Sequence, residues 1–177
     1  MVTSEKTFVM IKPDAISRGL VGEIVGRFER AGLNIIKMNM VRLERVKAEA
    51  LYQSDEAWLN MLTSKAKEAF EAVGDKLEIG DTLTYGKQIR AWLIDYVTSG
   101  PVILMVIEAT KAVSVVRKLV GSTDASIAAA GTVRGDLCSD SLYVANVEKR
   151  AIKTLLHASG NLKEAKREIS LMFGDPV

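Results

Sequence analysis

Seven side chains in this sequence are of the types that handle phosphate: Lys12, Arg117, Thr123, Arg134, His157, Ser159 and Glu168. Fixed cations neutralise a polyanion, hydroxyls donate to its oxygens, and an imidazole can accept a group covalently. A phosphoryl group in transfer spreads negative charge over its equatorial oxygens, so a protein's task is mainly positioning and charge neutralisation. His157 is the only histidine in the chain. It follows the apolar pair Leu155-Leu156 and precedes Ala158-Ser159 and Gly160-Asn161. That order reads as a strand end turning into a helix, where a rigid element holds a side chain that can face a ligand. A carboxylate bonded to the distal ring nitrogen would fix tautomer and orientation. Glu168 fits that task, because it lies on the helix launched directly after His157. Blander readings compete with these. Lys12 could be a solvated strand terminus, and cations in the last turn of a helix are favourable in themselves, which alone would account for Arg117.

The elements that must position these groups follow from periodicity. Residues 7–12 read as a buried strand stopped by Pro13-Asp14. A helix follows over 20–31, with Leu20, Ile24, Val25 and Phe28 on one face and Gly32 as its stop. Residues 33–43 alternate, with Ile36, Met38 and Met40 set against Lys37 and Asn39, as in a half-buried strand. The spacing predicts helices over 46–53, 56–73 and 87–97. The second carries Trp58, Leu62, Ala66, Ala69 and Val73 as a core stripe, and the third carries Ile89, Trp92, Leu93 and Tyr96 on one face. Between them, 74–86 holds Gly74, Gly80 and Gly86 and reads as a loop. Residues 101–107 are almost wholly apolar, as in a central strand covered on both faces. A helix is expected over 111–120 with Ala112, Val115, Val116 and Leu119 inward. Residues 121–136 form a long loop, with room for one helical turn, of the kind that carries function. Leu142–Val147 and Ala151–Leu156 are both strand-like. A last amphipathic helix spans 161–173 with Leu162, Ala165, Ile169 and Met172 inward.

Composition narrows the class. The chain has 177 residues, 48% hydrophobic and 26% charged, which suits one globular domain. Its net charge of +2 gives no broad basic face, so nucleic acid is not expected as a partner. A single cysteine, Cys138, and a single histidine exclude an intrachain disulfide and make a protein-built metal site improbable. Met1 to Lys6 are polar and lack the core of a signal peptide, and no apolar run reaches the length of a membrane span. A cytoplasmic protein without membrane contact is the expectation. Neither a Gly-Lys-Ser/Thr phosphate loop nor Gly-x-Gly-x-x-Gly occurs, so bound nucleotide would depend on the cations.

The chain resembles the nucleoside diphosphate kinases. The matching stretches are Thr7–Arg18 (TFVMIKPDAISR), Gly19–Phe28 (GLVGEIVGRF), Ser99–Val106 (SGPVILMV), Val116–Thr123 (VRKLVGST), Gly131–Asp136 (GTVRGD), Leu156–Ser159 (LHAS) and Glu164–Phe173 (EAKREISLMF), in family order from end to end. The resemblance implies an α+β, ferredoxin-like βαββαβ sandwich with a four-stranded antiparallel sheet. It implies transfer of the γ-phosphate of a nucleoside triphosphate to a nucleoside diphosphate in a ping-pong reaction, with Mg²⁺ held mainly by nucleotide phosphates. By the same likeness His157 is the phosphorylated histidine, and Ser159 and Glu168 support it. Lys12, Arg117, Thr123 and Arg134 hold phosphates, and Tyr52 is an active-site tyrosine. A homo-oligomer is implied, with a hexamer favoured.

The sequence departs from the family pattern at several places. The base-stacking phenylalanine falls on Ile89, with Leu93 one helical turn on; Trp58, Tyr85 or Trp92 could cover the base instead. The sugar-binding asparagine is Thr154, and the acidic residue after His-x-Ser is Gly160. The chain reads as one domain over 1–177 with insertions at about 54–86 and 138–148. These departures motivate an alternative, a binding module that kept the fold and lost efficient turnover.

Overall fold

The computed structural model describes residues 4–174; the ends of the 1–177 span, including Met1–Thr3 of the polar N-terminus, lie outside the described residues. Four strands, β1 (Ser4–Ile11), β2 (Asn34–Arg42), β3 (Pro101–Thr110) and β4 (Leu156–Ala158), form one sheet ordered β2-β3-β1-β4. Every adjacent pair is antiparallel. With helices between β1 and β2 and between β3 and β4, this is the expected βαββαβ sandwich.

β3 and β1 are central and buried on both faces, which divides the core in two. Phe8, Met10, Val102, Leu104 and Val106 pack on one side against Leu51, Leu93, Val97, Ile169 and Met172. Val9, Ile11, Ile103, Met105 and Ile107 pack on the other against Ile24, Phe28, Val116 and Val120. The near-continuous apolar run of 101–107 therefore has the cause assigned to it: both pleat faces are dry.

The helices are α1 (Pro13–Ser17), α2 (Val21–Arg30), α3 (Arg45–Leu51), α4 (Glu56–Glu71), α5 (Thr82–Thr98), α6 (Ala112–Val120), α7 (Val133–Leu137), α8 (Leu142–Val147) and α9 (Leu162–Phe173). α2 stops where Gly32 takes φ +75°. The amide of Leu33 then reaches the carbonyl of Phe28 at 3.1 Å, and that of Gly32 reaches Glu29 at 2.9 Å, a Schellman closure.

Several sequence expectations change. Leu142–Val147 is helix, not strand; Ser141 caps it by accepting from the amide of Val144. A six-residue apolar run carries no decisive period, so the cap settles it. Residues 151–155 are irregular and the last strand is Leu156–Ala158, with His157 paired to Met10. The loop assigned to 74–86 is shorter, because Asp81 caps α5 through the amide of Thr84 and Gly86 lies inside the helix. Gly86 is there for contact: a Cβ on it would stand 2.5 Å from the Leu59 carbonyl oxygen of α4. The stripe of α4 is rotated, so that Leu59, Thr63, Ala66 and Phe70 are buried while Trp58 and Leu62 are half-buried and Val73 is exposed.

In β2 a bulge between Ile35 and Lys37 reverses the alternation. Ile36 packs on one face of the sheet, whereas Met38 and Met40 stand opposite Met105 and Ile103 on the other face. At this outer strand they are 43% and 61% exposed, not half-buried core. Leu162, at the first turn of α9, is also exposed rather than inward.

Candidate active site

β4 and α9 place the histidine and its carboxylate. Asn161 caps α9 by accepting from the amide of Glu164, so the helix starts directly after the Ser159-Gly160 turn and brings Glu168 back over β4. His157 Nε2 lies 2.9 Å from Glu168 Oε2. The Ser159 hydroxyl donates to the same oxygen at 2.6 Å, and Arg167 Nη2 donates to Oε1 at 3.2 Å. Glu168 is 2% exposed. Its burial favours the protonated acid, but the opposing effects of His157, Ser159 and Arg167 prevail and hold its pKa below the ordinary carboxylate value. With Nε2 engaged, Nδ1 is the ring nitrogen left for a ligand.

The residues before His157 are held in an unfavourable backbone. Leu155 has φ +65°, a left-handed conformation costing an ordinary residue about 1–2 kcal/mol. It persists because its amide donates to Asp14 Oδ2 at 3.0 Å and its carbonyl accepts the amide of Lys12 at 2.8 Å. The Lys12-Pro13-Asp14 turn at the end of β1 thus grips the entry to β4.

Lys12 and Arg134 are both buried beneath the histidine. Lys12 Nζ donates to Thr154 Oγ1 at 2.8 Å. Burial, with a smaller effect from Arg134, pushes the Lys12 amine down to about 8. Arg134, on α7, donates to the carbonyls of Thr154 (3.1 Å), Gly121 (2.9 Å) and Leu156 (2.7 Å). Burial first, then Arg117, pushes its guanidinium down to about 10, still charged at neutral pH. Two buried cations that donate to a hydroxyl and to carbonyls, with Asp14 as the carboxylate nearby, can receive an anion.

One cavity of about 420 Å³ collects these groups. Lys12, Tyr52, Ile89, Leu93, Arg117, Thr123, Arg134, Thr154, His157 and Glu168 all line it; Ser159 lies behind Glu168 and does not. Tyr52 is buried, its hydroxyl has no partner among the described residues, and burial raises its pKa. At the apolar end Trp58, Met61 and Leu62 of α4 face Ile89 and Leu93 of α5. Trp58 stands 6.3 Å from Tyr52, ring centre to ring centre. Tyr85 and Trp92 are absent from the lining and stack edge-on with each other.

Sequence reasoning missed Lys65, Arg150, Glu164 and Arg167, which also line the cavity. Arg150 is occupied by Asp140, through two bonds of 2.6 and 2.9 Å. Glu164 compensates for the glycine at 160: its Oε2 accepts the Gly160 amide at 2.8 Å and would lie 2.9 Å from a Cβ there. The Asn-x-x-Glu spacing was the available signal for that residue. Among the described residues no three His, Cys, Asp or Glu side chains gather as a metal site, and no helix is long and apolar enough to cross a membrane.

Comparison with known proteins agrees with this geometry. The family model for nucleoside diphosphate kinase matches residues 5–68 and 83–176. A nucleoside diphosphate kinase of Pyrobaculum aerophilum is 43% identical over 173 residues, covering 96% of this chain and 94% of the relative. One of Sulfurisphaera tokodaii is 40% identical over 169 residues, covering 96% and 88%. The crystal structure of an NDP kinase from Pyrobaculum aerophilum superposes with a TM-score of 0.91 at 40% identity, covering 97% and 96% of the two chains. A transition-state mimic of the Borrelia burgdorferi enzyme with bound vanadate and ADP superposes at 0.78 with 30% identity, covering 97% and 88%.

Proposed function

As the chain belongs to the nucleoside diphosphate kinase family and is a nucleotide phosphotransferase, we propose that it moves the γ-phosphate of a nucleoside triphosphate to a nucleoside diphosphate in two steps through His157. The observation that carries this reading is the bond between His157 Nε2 and buried Glu168. A proton kept on Nε2 leaves the Nδ1 lone pair free to attack the γ-phosphorus. The bond from that phosphorus to the β,γ-bridging oxygen breaks, and the nucleoside diphosphate departs with the electron pair. The imidazolium charge that develops is stabilised by Glu168. A second diphosphate takes the phosphoryl group back along the same path.

In this reading Lys12, Arg134 and Tyr52 receive the oxygens of the transferring group, and Arg117 and Thr123 hold the leaving phosphates. Thr154 meets the sugar or a phosphate, and its hydroxyl already accepts from Lys12. The base lies between Ile89 and Leu93 on one side and Trp58 on the other, an apolar slot that suits any base face. Mg²⁺ screens charge on the phosphates when bound. The ion would be carried mainly by the nucleotide, with Glu164 the carboxylate available near Gly160.

The same reading takes residues 54–86 and 138–148 as insertions in a single domain, since helices from both regions line the cavity built on the one sheet. It places the protein in the cytoplasm as a homo-oligomer, a hexamer by preference, with nucleotides and not nucleic acid as ligands. The test is intact mass after brief exposure to MgATP. One acid-labile phosphate on the wild type and none on His157→Ala, with nucleotide still bound by the variant, is expected. Bound nucleotide without an adduct on the wild type would favour a binding module.

A further inference from the structure

Glu168 is gripped from two sides. Its Oε2 faces His157 and Ser159, at 2.9 and 2.6 Å. Its Oε1 accepts from a single donor among the described residues, Arg167 Nη2 at 3.2 Å. The same Nη2 reaches the Leu51 carbonyl at 3.1 Å, and Nη1 reaches that of Ala50 at 2.8 Å. Those carbonyls belong to the last turn of α3, where helix geometry leaves them without intrahelical donors, and they directly precede Tyr52. Arg90 of α5 takes the adjoining carbonyls: Glu49 at 2.7 Å, Tyr52 at 2.8 Å and Gln53 at 3.1 Å. Two guanidinium groups therefore cap one helix end, and only Arg167 also touches Glu168.

We propose that Arg167 is a positioning residue for His157, acting through Glu168. A guanidinium is a rigid planar fork, so fixing it on two carbonyls fixes where it meets Oε1. That contact stops the carboxylate turning about its last side-chain bond and keeps Oε2 toward the imidazole. The fork also locks the histidine's support to the backbone that delivers Tyr52 into the cavity. The two walls of the phosphate site, α9 with β4 and the end of α3, are thereby held in one register. Lysine would restore the charge but not the fork, so Arg167→Lys should recover only part of the effect.

The inference rests on the reading of His157 as phosphoryl acceptor, and its test separates the two. The chain has a single histidine, so ¹⁵N-histidine labelling yields one set of ring signals. Wild type, Arg167→Gln, Arg167→Lys and Arg90→Gln would be compared without nucleotide, and then for the rate of phosphoenzyme formation and for nucleotide Kd. In Arg167→Gln the ring-nitrogen signals should move and the phosphorylation rate should fall about tenfold, as for other supports of a reacting imidazole, with Kd within about twofold. Arg90→Gln should lower Tm through the same helix cap and leave the ring signals at wild-type values. Unmoved ring signals in Arg167→Gln, or equal changes in Arg90→Gln, would overturn the proposal. If Arg167→Gln does not fold, Arg167→Lys is judged by the same criteria. Should the wild type take up no phosphate, the reading of His157 falls, and the ring signals still decide the role of Arg167.

Discussion

At the scale of single residues, the proposed chemistry turns on the buried cations Lys12 and Arg134. Lys12 is desolvated beside Arg134, and its neutral amine is favoured down to about pH 8. The sign follows directly: a lowered pKa in a base means that the charge is present below about 8 and lost above it. For free protein binding MgATP, kcat/KM should therefore fall as pH rises through about 8, because the receptor loses a charge. A profile flat to pH 9.5 would remove Lys12 from phosphate binding. Lys12→Gln should cut kcat by about 10²-fold at neutral pH, the usual cost of one preorganised donor to developing charge. A change of less than twofold in steady-state assays would contradict its placement. Lys12→Gln leaves the His157–Glu168 pair in place, so a phosphoenzyme should still form slowly.

At the scale of elements, the helical excursion α3–α4–α5 closes the apolar end of the cavity. α4 and α5 touch where Gly86 meets the Leu59 carbonyl, and a methyl group has no room there. Gly86→Ala should push the helices apart, destabilise the fold by about 1–3 kcal/mol, and raise KM for nucleotides by displacing the Trp58–Leu62 wall. A melting curve and initial rates measure the two effects together; an unchanged Tm would mean that the helices part without cost. α8 ties the second insertion to this region. Tyr143 packs edge-on against Phe70 of α4 at 4.8 Å, and Asn146 accepts the Tyr85 hydroxyl of α5 at 2.9 Å.

At the scale of the whole molecule, β2 leaves one side of the sheet unfinished. It is the outer strand, and Met38 and Met40 stand exposed on it. An uncovered outer strand carrying large apolar side chains is a site for association. In the homo-oligomer proposed above, Met38→Glu with Met40→Glu should reduce the mass measured by light scattering, with the isolated chain keeping its far-ultraviolet circular dichroism. An unchanged mass would place the subunit contact elsewhere.

What the sequence determined by itself was the sandwich and a set of candidate side chains, most of which meet at one cavity. The apolar run of 101–107, the periodicity of α2, α6 and α9, and the motif stretches around Lys12, Arg134 and His157 are local signals, legible without knowing what they pack against. Tertiary structure decided what depends on partners distant in sequence. Leu142–Val147 settled as helix where Asp124 accepts the Leu142 amide and Tyr143 packs on Phe70, because a short apolar run is compatible with either period. Met38 and Met40 turned outward because a bulge set their phase and, among the described residues, no strand lies beyond them. Trp58 came to line the cavity, whereas Tyr85 and Trp92 pack on each other away from it. Arg167, beside Glu168 in sequence, met the end of α3 across 117 residues of chain. No spacing rule reports such a meeting, since it exists only once the sheet has brought α9 and α3 to the same face.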